Sequence, residues 1–323
     1  MRFYGADETR ARLAFAPLVD ALRAMFARGC ELAPRQVLEL AGAGAEPVTS
    51  LVMPAWQEGG CYGVKVVNIA PGNAARGLPA LHSTYVLYDA RTGVPLAWID
   101  GDEITARRTA ATSALAASWL APADASHLAV IGAGRIARLL PEAHRVARPI
   151  EHVTVWARAP ARAAALADEL VAQGFDACVA ASVEAAVGEA DIVSCATLAR
   201  APLVSGRWLA PGSHLDLIGS FAPAMREADD DCFAGARVVV DSDDAAIKSG
   251  DLIGPLARGV VRREEIGTLA ELARGGGDAG RVRAPADAGR APAQRTIFKS
   301  VGSALEDLAA ALLVHGGEPQ PHA

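Results

Sequence analysis

The chain has 323 residues, 51% of them hydrophobic and 21% charged, with a formal net charge of −6. That length buries a sizeable core, most naturally as two domains, and the acidic balance supplies no global basic field to gather nucleic acid. No apolar run approaches the ~18 residues needed to cross a bilayer, and the N-terminus lacks a secretory pattern, so neither a membrane nor export is expected. Five cysteines without CxxC spacing read as reduced thiols of a cytoplasmic protein, and the seven histidines show no metal-ligand spacing, so no metal is expected.

In chain order, residues 1 to about 30 predict helix, with Leu18, Leu22, Met25 and Phe26 at helical spacing and Pro17 acceptable near a helix start. From Val48 the pattern changes. Val48–Met53, Tyr62–Asn68, His82–Tyr88 and Val94–Ile99 read as strands, the last two joined by the turn Asp89–Gly93. Consecutive strands with short turns predict an antiparallel sheet, and the alanine-rich Thr105–Leu120 a helix leading out of it. From Ser126 to about Val240 strands and helices alternate, as a doubly wound parallel sheet requires. Leu128–Ile131, His152–Trp156, Ile192–Thr197, His214–Gly219 and Val238–Val240 supply its strands, and Ala161–Gln173 a helix. Gly275–Ala293 is rich in glycine, proline and alanine and reads as a mobile loop. The closing helix, Ser303–Val314, is apolar at Leu305, Leu308, Ala309 and Leu312, and so is able to return and pack on the first domain.

The strongest local motif is Gly132-Ala133-Gly134-Arg135-Ile136-Ala137, directly after the apolar run Leu128–Ile131. This is the G-x-G-x-x-A form of the dinucleotide fingerprint. Gly132 allows the tight turn, Gly134 lets the backbone approach a pyrophosphate, and Ala137 lets the helix pack close to the strand. The amides of Arg135 and Ile136 then open a helix whose dipole favours negative charge. Alone the motif is weak, and a glycine-rich structural turn is the alternative. Some 20 residues on, where an NAD site places an acidic residue on the ribose, the chain reads Trp156-Ala157-Arg158-Ala159-Pro160-Ala161-Arg162. Arg158 and Arg162 suit a 2′-phosphate, so NADPH is expected, with NADH possible; two solvated surface charges are the other reading. Thr197, Ile218, Gly219 and Ser220 fall at strand ends, where doubly wound sheets place ligands. Asp229–Asp231 and Asp241–Asp244 read as caps and turns rather than a cation site.

Several stretches together resemble the ornithine cyclodeaminase/mu-crystallin family: Gly63-Val64-Lys65-Val66-Val67-Asn68, Gly77-Leu78-Pro79, Thr105–Ala111, the glycine pair, Pro211–His214 and Ile297–Gly302. They keep their order from about residue 30 to 313. The resemblance implies a Rossmann domain over 121–299, and a split α+β domain from 1–120 and 300–323 that holds substrate and makes a homodimer. It also implies that Lys65 and Arg108, with Arg35 as a third member, bind a substrate carboxylate. That grouping is chemically sensible, because a guanidinium fork matches a planar carboxylate and a lysine adds a point charge.

Two departures carry the functional expectation. Cyclodeaminases and alanine dehydrogenases of the family carry an aspartate where this chain has Phe221, in Gly219-Ser220-Phe221. Ala80 stands where ornithine cyclodeaminase has threonine. Phenylalanine cannot move a proton, whereas general acid–base help is commonly worth about 10²–10⁴-fold. Reducing a preformed imine needs less: the carboxylate is clamped and the protonated C=N accepts hydride. The resemblance therefore implies an NAD(P)H-dependent reductase of Δ1-pyrroline-2-carboxylate and Δ1-piperideine-2-carboxylate. Ornithine cyclodeaminase and an NADP-dependent binding protein of the mu-crystallin sort are the alternatives. The iminium proton comes from solvent, His82 or Ser83, with a satisfied strand histidine as the other reading of His82. Lys299 and Ser300 lie in a family motif without an assigned task.

Overall fold

In the computed structural model, which describes residues 1–40, 47–275 and 294–316, the chain divides into two units: residues 1–108 with the closing segment from Ser303, and residues 109–302. The first contains β1 (Arg2–Tyr4), β2 (Glu31–Leu32), β3 (Gln36–Leu40), β4 (Val48–Trp56), β5 (Cys61–Ile69), β6 (Leu81–Asp89) and β7 (Pro95–Asp100). They form one sheet in the order β1-β7-β6-β5-β4-β2, with β3 also beside β4. Every pairing is antiparallel except β1 with β7. The two-residue period sends Cys61, Gly63, Lys65 and Val67 to the buried face of β5. The helix Phe15–Arg28 buries Phe15, Leu18, Val19, Leu22, Met25 and Phe26. It packs against the closing helix Ala304–His315, which lies on β4 and β5.

The N-terminus departs from the expected continuous helix. β1 comes first, with Phe3 stacked on Trp98 at 4.4 Å, followed by separate helices Ala6–Arg12 and Phe15–Arg28. Three residues are too few to display a strand period. β2 and β3 were equally invisible, since all seven of their residues are exposed and show no alternation.

The second unit contains β8 (His127–Ile131), β9 (His152–Trp156), β10 (Asp176–Val179), β11 (Ile192–Cys195), β12 (His214–Leu217), β13 (Arg237–Val240), β14 (Gly267–Thr268) and β15 (Thr296–Lys299). All pair in parallel, in the order β10-β9-β8-β11-β12-β15-β13-β14, giving the α/β doubly wound sheet the alternating pattern predicts. Its central strands are near-continuous apolar runs because both faces are covered; Leu128–Ile131 and Ile192–Cys195 are wholly buried. The strand order reverses at β8, flanked by β9 and β11, which creates the crevice where such sheets take ligands. β10 is an exposed edge strand and β15 inserts between β12 and β13; neither placement was legible in the sequence. Apart from Gly275, the segment read as a mobile loop, Gly275–Ala293, lies outside the described residues. Among the described residues no helix is long and apolar enough to cross a membrane.

Candidate active site

In the first unit, β5 delivers Lys65 and the first turns of the helix Gly101–Leu120 deliver Arg108 onto one pair of acids. Lys65 Nζ donates to Asp307 Oδ1 at 2.7 Å; Arg108 donates through Nε to the same oxygen at 2.9 Å and through Nη1 to Glu306 Oε2 at 2.7 Å. Lys65 is 1% exposed, Arg108 6%, and both acids 0%. Glu306 serves twice, since its Oε1 accepts from the Ser303 amide and hydroxyl, closing a capping box at the start of the closing helix. Burial pushes the Lys65 ammonium down to about 8, with Asp307 opposing the fall and Arg108 adding to it. Burial alone would raise Asp307, but Lys65 and Arg108 outweigh it and hold its carboxyl below the usual range. Two buried cations and two buried anions thus neutralise one another, the condition for tolerating any of them inside.

The structure brings Lys65 and Arg108 together as expected from their motifs. The acids that hold them were missed: Ser303-x-x-Glu306 was readable as a capping box, but nothing marked Asp307 as buried. Tyr85 pairs with Lys65 across β5 and β6, and its hydroxyl lies over Gly63, where a Cβ would come within 2.0 Å of it. That close approach accounts for the glycine two residues before the lysine. Arg35 is half-buried in the segment between β2 and β3. His82 does not join this group. The register pairs His82 with Asn68 and puts both on the face of the sheet opposite Lys65 and Tyr85, with His82 exposed. Ser83 is the neighbour that shares the Lys65 face, and its hydroxyl donates to Asp102 Oδ1 at 2.6 Å.

In the second unit, Gly132 holds φ at +125°, and a Cβ there would sit 2.6 Å from the Ala196 carbonyl oxygen. Its amide donates to Trp156 O at 2.8 Å, tying the turn to the end of β9. Gly134 caps the helix Arg135–Ala147 in extended conformation, and a Cβ there would meet nothing within 4 Å. Open space therefore faces the first turn, whose amides have no acceptor within the helix. Such a helix start, open beside Gly134, is the kind of place where a phosphate is bound. Ala137 is fully buried against the sheet, as the fingerprint requires. Arg135, Arg158 and Arg162 are exposed and Ile136 is half-buried. The second-strand end carries Arg158 and Arg162 and no acid between Trp156 and Arg162.

The ends of β11 and β12 are closed by an acid the motif reading did not weigh. Glu227, 0% exposed, accepts from the Thr197 amide and hydroxyl at 2.8 and 2.7 Å and from the Gly219 amide at 2.7 Å. The Thr197 hydroxyl is thereby committed inward. So is that of Ser220, fully buried and donating to Met225 O at 2.6 Å beside Ser249. Ile218 and Gly219 are buried as well. The two hydroxyls among these four positions are therefore engaged within the protein. Phe221, where cyclodeaminases have their acid, is 41% exposed.

The profile of the ornithine cyclodeaminase/mu-crystallin family matches residues 15–318. The Δ(1)-pyrroline-2-carboxylate reductase of Paracoccus denitrificans is 38% identical over 310 residues, 95% of this chain and 94% of that one. The ketimine reductase mu-crystallin of Rattus norvegicus is 33% identical over 97% of this chain and 96% of its own. Among solved structures, the Thermococcus litoralis Δ(1)-pyrroline-2-carboxylate reductase in complex with NADH and L-proline superposes with a TM-score of 0.87 at 29% identity, covering 99% of this chain and 100% of that one.

Proposed function

The chain belongs to the ornithine cyclodeaminase/mu-crystallin family, and from that membership we propose that it is an NAD(P)H-dependent reductase of cyclic imines. Its substrates are Δ1-pyrroline-2-carboxylate and Δ1-piperideine-2-carboxylate, its products L-proline and L-pipecolate. Relatives bearing the first of these activities in their names, at 35–38% identity, support the reading. The observation that carries it within this chain is the turn after β12: Phe221 replaces the acid, and Glu227, the carboxylate bonded there, has both oxygens engaged. Imine reduction tolerates that arrangement, whereas amine oxidation with ring closure needs a group to shuttle protons.

Lys65 and Arg108, with Arg35, take the substrate carboxylate, held in place by Asp307 and Glu306. Gly132, Gly134, Arg135 and Ile136 take the pyrophosphate, Arg158 and Arg162 the 2′-phosphate, and the Thr197 and Ile218–Ser220 backbone lies along the nicotinamide side. When bound, the reduced nicotinamide supplies a hydride to C2 of the imine, and the ring nitrogen carries the proton that completes the amine. Ser83 donates its hydroxyl hydrogen to Asp102, which leaves its lone pairs to accept from an iminium N–H and favour that protonated electrophile. Fixing donor and acceptor in line supplies much of the remaining rate.

We assign substrate binding and homodimerisation to the first unit. β3 supports the second role, since Val37, Leu38 and Leu40 are 58%, 45% and 51% exposed on a strand that, among the described residues, pairs with β4 alone, a surface a second copy would cover. The free cysteines suit the reducing cytoplasm. The test incubates the purified protein with Δ1-pyrroline-2-carboxylate and NADPH or NADH, following loss of nicotinamide absorbance, and in parallel with L-ornithine, assaying ammonia. Rapid oxidation of the cofactor without ammonia release is expected. Ammonia as the faster product would replace the reading with cyclodeamination, and tight NADPH binding without turnover would replace it with a binding protein.

A further inference from the structure

The ladder between β11 and β12 ends at the pair Cys195 and Leu217. Two residues further on lie Thr197 and Gly219, and the carboxylate that joins them is Glu227, Oε1 on the first and Oε2 on the second. The two turns are pressed together. A Cβ on Gly219 would stand 1.8 Å from the Thr197 carbonyl oxygen and 2.6 Å from Glu227 Oε1, so only glycine fits. Glu227 is itself anchored, because its amide donates to Asp251 Oδ1 at 2.8 Å and the Ala228 amide to the same oxygen at 3.1 Å. From β15, the fully buried Lys299 donates to Leu217 O at 2.8 Å and stands 3.9 Å from Asp251 Oδ2. It is the cation facing this group of acids.

We propose that Glu227 is a positioning residue for the nicotinamide cofactor, a side chain that continues the β11–β12 pairing past the end of its ladder and sets the geometry of the two strand-end turns. This rests on the assignment of those turns to the cofactor. The arrangement gives Lys299 of the Ile297–Gly302 motif its task as the buried counter-charge of that clamp. A carboxylate is required because all three of its partners are donors. A glutamine retains the shape but turns an amide group toward one of those donors, and a protonated carboxyl does the same with its hydroxyl.

Titration adds a second handle. Burial pushes Glu227 up to about 7, with Lys299 pulling it down, Asp251 pushing it further up, and the Thr197 bonds pulling it down. Cys195, held as a thiol by burial, also faces it. The acceptor form is present above that value and lost as pH falls through it, so cofactor affinity should weaken on the acid side.

The experiment measures NADPH and NADH binding by nicotinamide fluorescence, without imine, for the wild type and Glu227→Gln across pH 6 to about 8.5, together with thermal melts and steady-state KM and kcat. Expected are a rise of about tenfold or more in cofactor Kd and KM for the variant, a smaller change in imine KM, and a wild-type affinity that steps down below about pH 7, flattened in the variant. A variant with a lowered Tm but wild-type cofactor Kd and pH profile would make Glu227 merely structural and overturn the proposal. Should the variant not fold, a wild-type cofactor Kd that is flat across that pH range overturns it equally. Cofactor binding with the expected pH step but no imine reduction would sink the reaction assignment and leave this inference standing.

Discussion

The Lys65 ammonium and the Asp307 carboxylate meet 2.7 Å apart, with 1% and 0% of their side chains exposed. Two residues 242 positions apart in the chain thus depend on each other, and Arg108 closes the triangle on the same oxygen. Removing one partner of so buried a pair strands the other, at a cost of about 3–5 kcal/mol. Asp307→Asn should therefore lose stability of that order in denaturant unfolding, and most of its kcat/KM. Replacing both partners by apolar residues, Lys65→Met with Asp307→Leu, should recover much of the stability but none of the turnover. If the single variant unfolds at the wild-type midpoint, the two groups are not coupled.

The Lys65 value of about 8 predicts the alkaline limb of the reaction. In the proposed assignment the substrate carboxylate is gripped by the ammonium, which is present below that value and lost as pH rises through it. Imine KM should therefore climb above about pH 8 while kcat changes less. Asp307 holds the value up against burial, so Asp307→Asn should move the limb to lower pH. A profile of kcat/KM against pH for both proteins checks the direction, and an unmoved limb in the variant would assign it to another group.

The second unit was legible because parallel strands buried on both faces are written as uninterrupted apolar runs, and the fingerprint glycines announce their turn. Gly132 needs its positive φ, and Gly134 opens its helix to empty space, roles their spacing encodes. The insertion of β15 between β12 and β13 was illegible, since strand order is a property of crossovers rather than of any local pattern. Lys65 and Arg108 were found through family motifs alone; their own neighbourhoods look like those of surface cations. Asp307 and Glu227 escaped because a buried acid carries no periodic signal, and its partners come from distant elements. The sequence left His82 and Ser83 as equal candidates, because only the register decides which of two adjacent strand residues shares the Lys65 face, and it is Ser83.

Arg158 and Arg162 follow β9 as exposed cations where an NAD-specific site would carry an acid. A charge-assisted bond to a 2′-phosphate is worth about 1.5–3 kcal/mol, so Arg158→Ala should raise the KM for NADPH about tenfold or more and leave that for NADH nearly unchanged. Steady-state kinetics with both cofactors at fixed imine decide it. An equal effect on the two, or a wild type that prefers NADH, would reduce these arginines to solvated charges.

His82 and Ser83 are adjacent in the chain but on opposite faces of the sheet, so paired alanine variants resolve which of them assists the imine. With its hydrogen committed to Asp102 at 2.6 Å, the Ser83 oxygen is polarised to accept from a cation. Its removal leaves the iminium less favoured relative to the neutral imine, which accepts hydride poorly. Ser83→Ala should accordingly lose about tenfold in kcat/KM at neutral pH and recover part of it in acid, where solvent protonates the ring nitrogen unaided. His82→Ala, on the opposite and exposed face, should keep the wild-type kcat and pH profile. Full activity in Ser83→Ala, or a selective loss in His82→Ala, would reverse the assignment and require a second chain to bring His82 to the substrate.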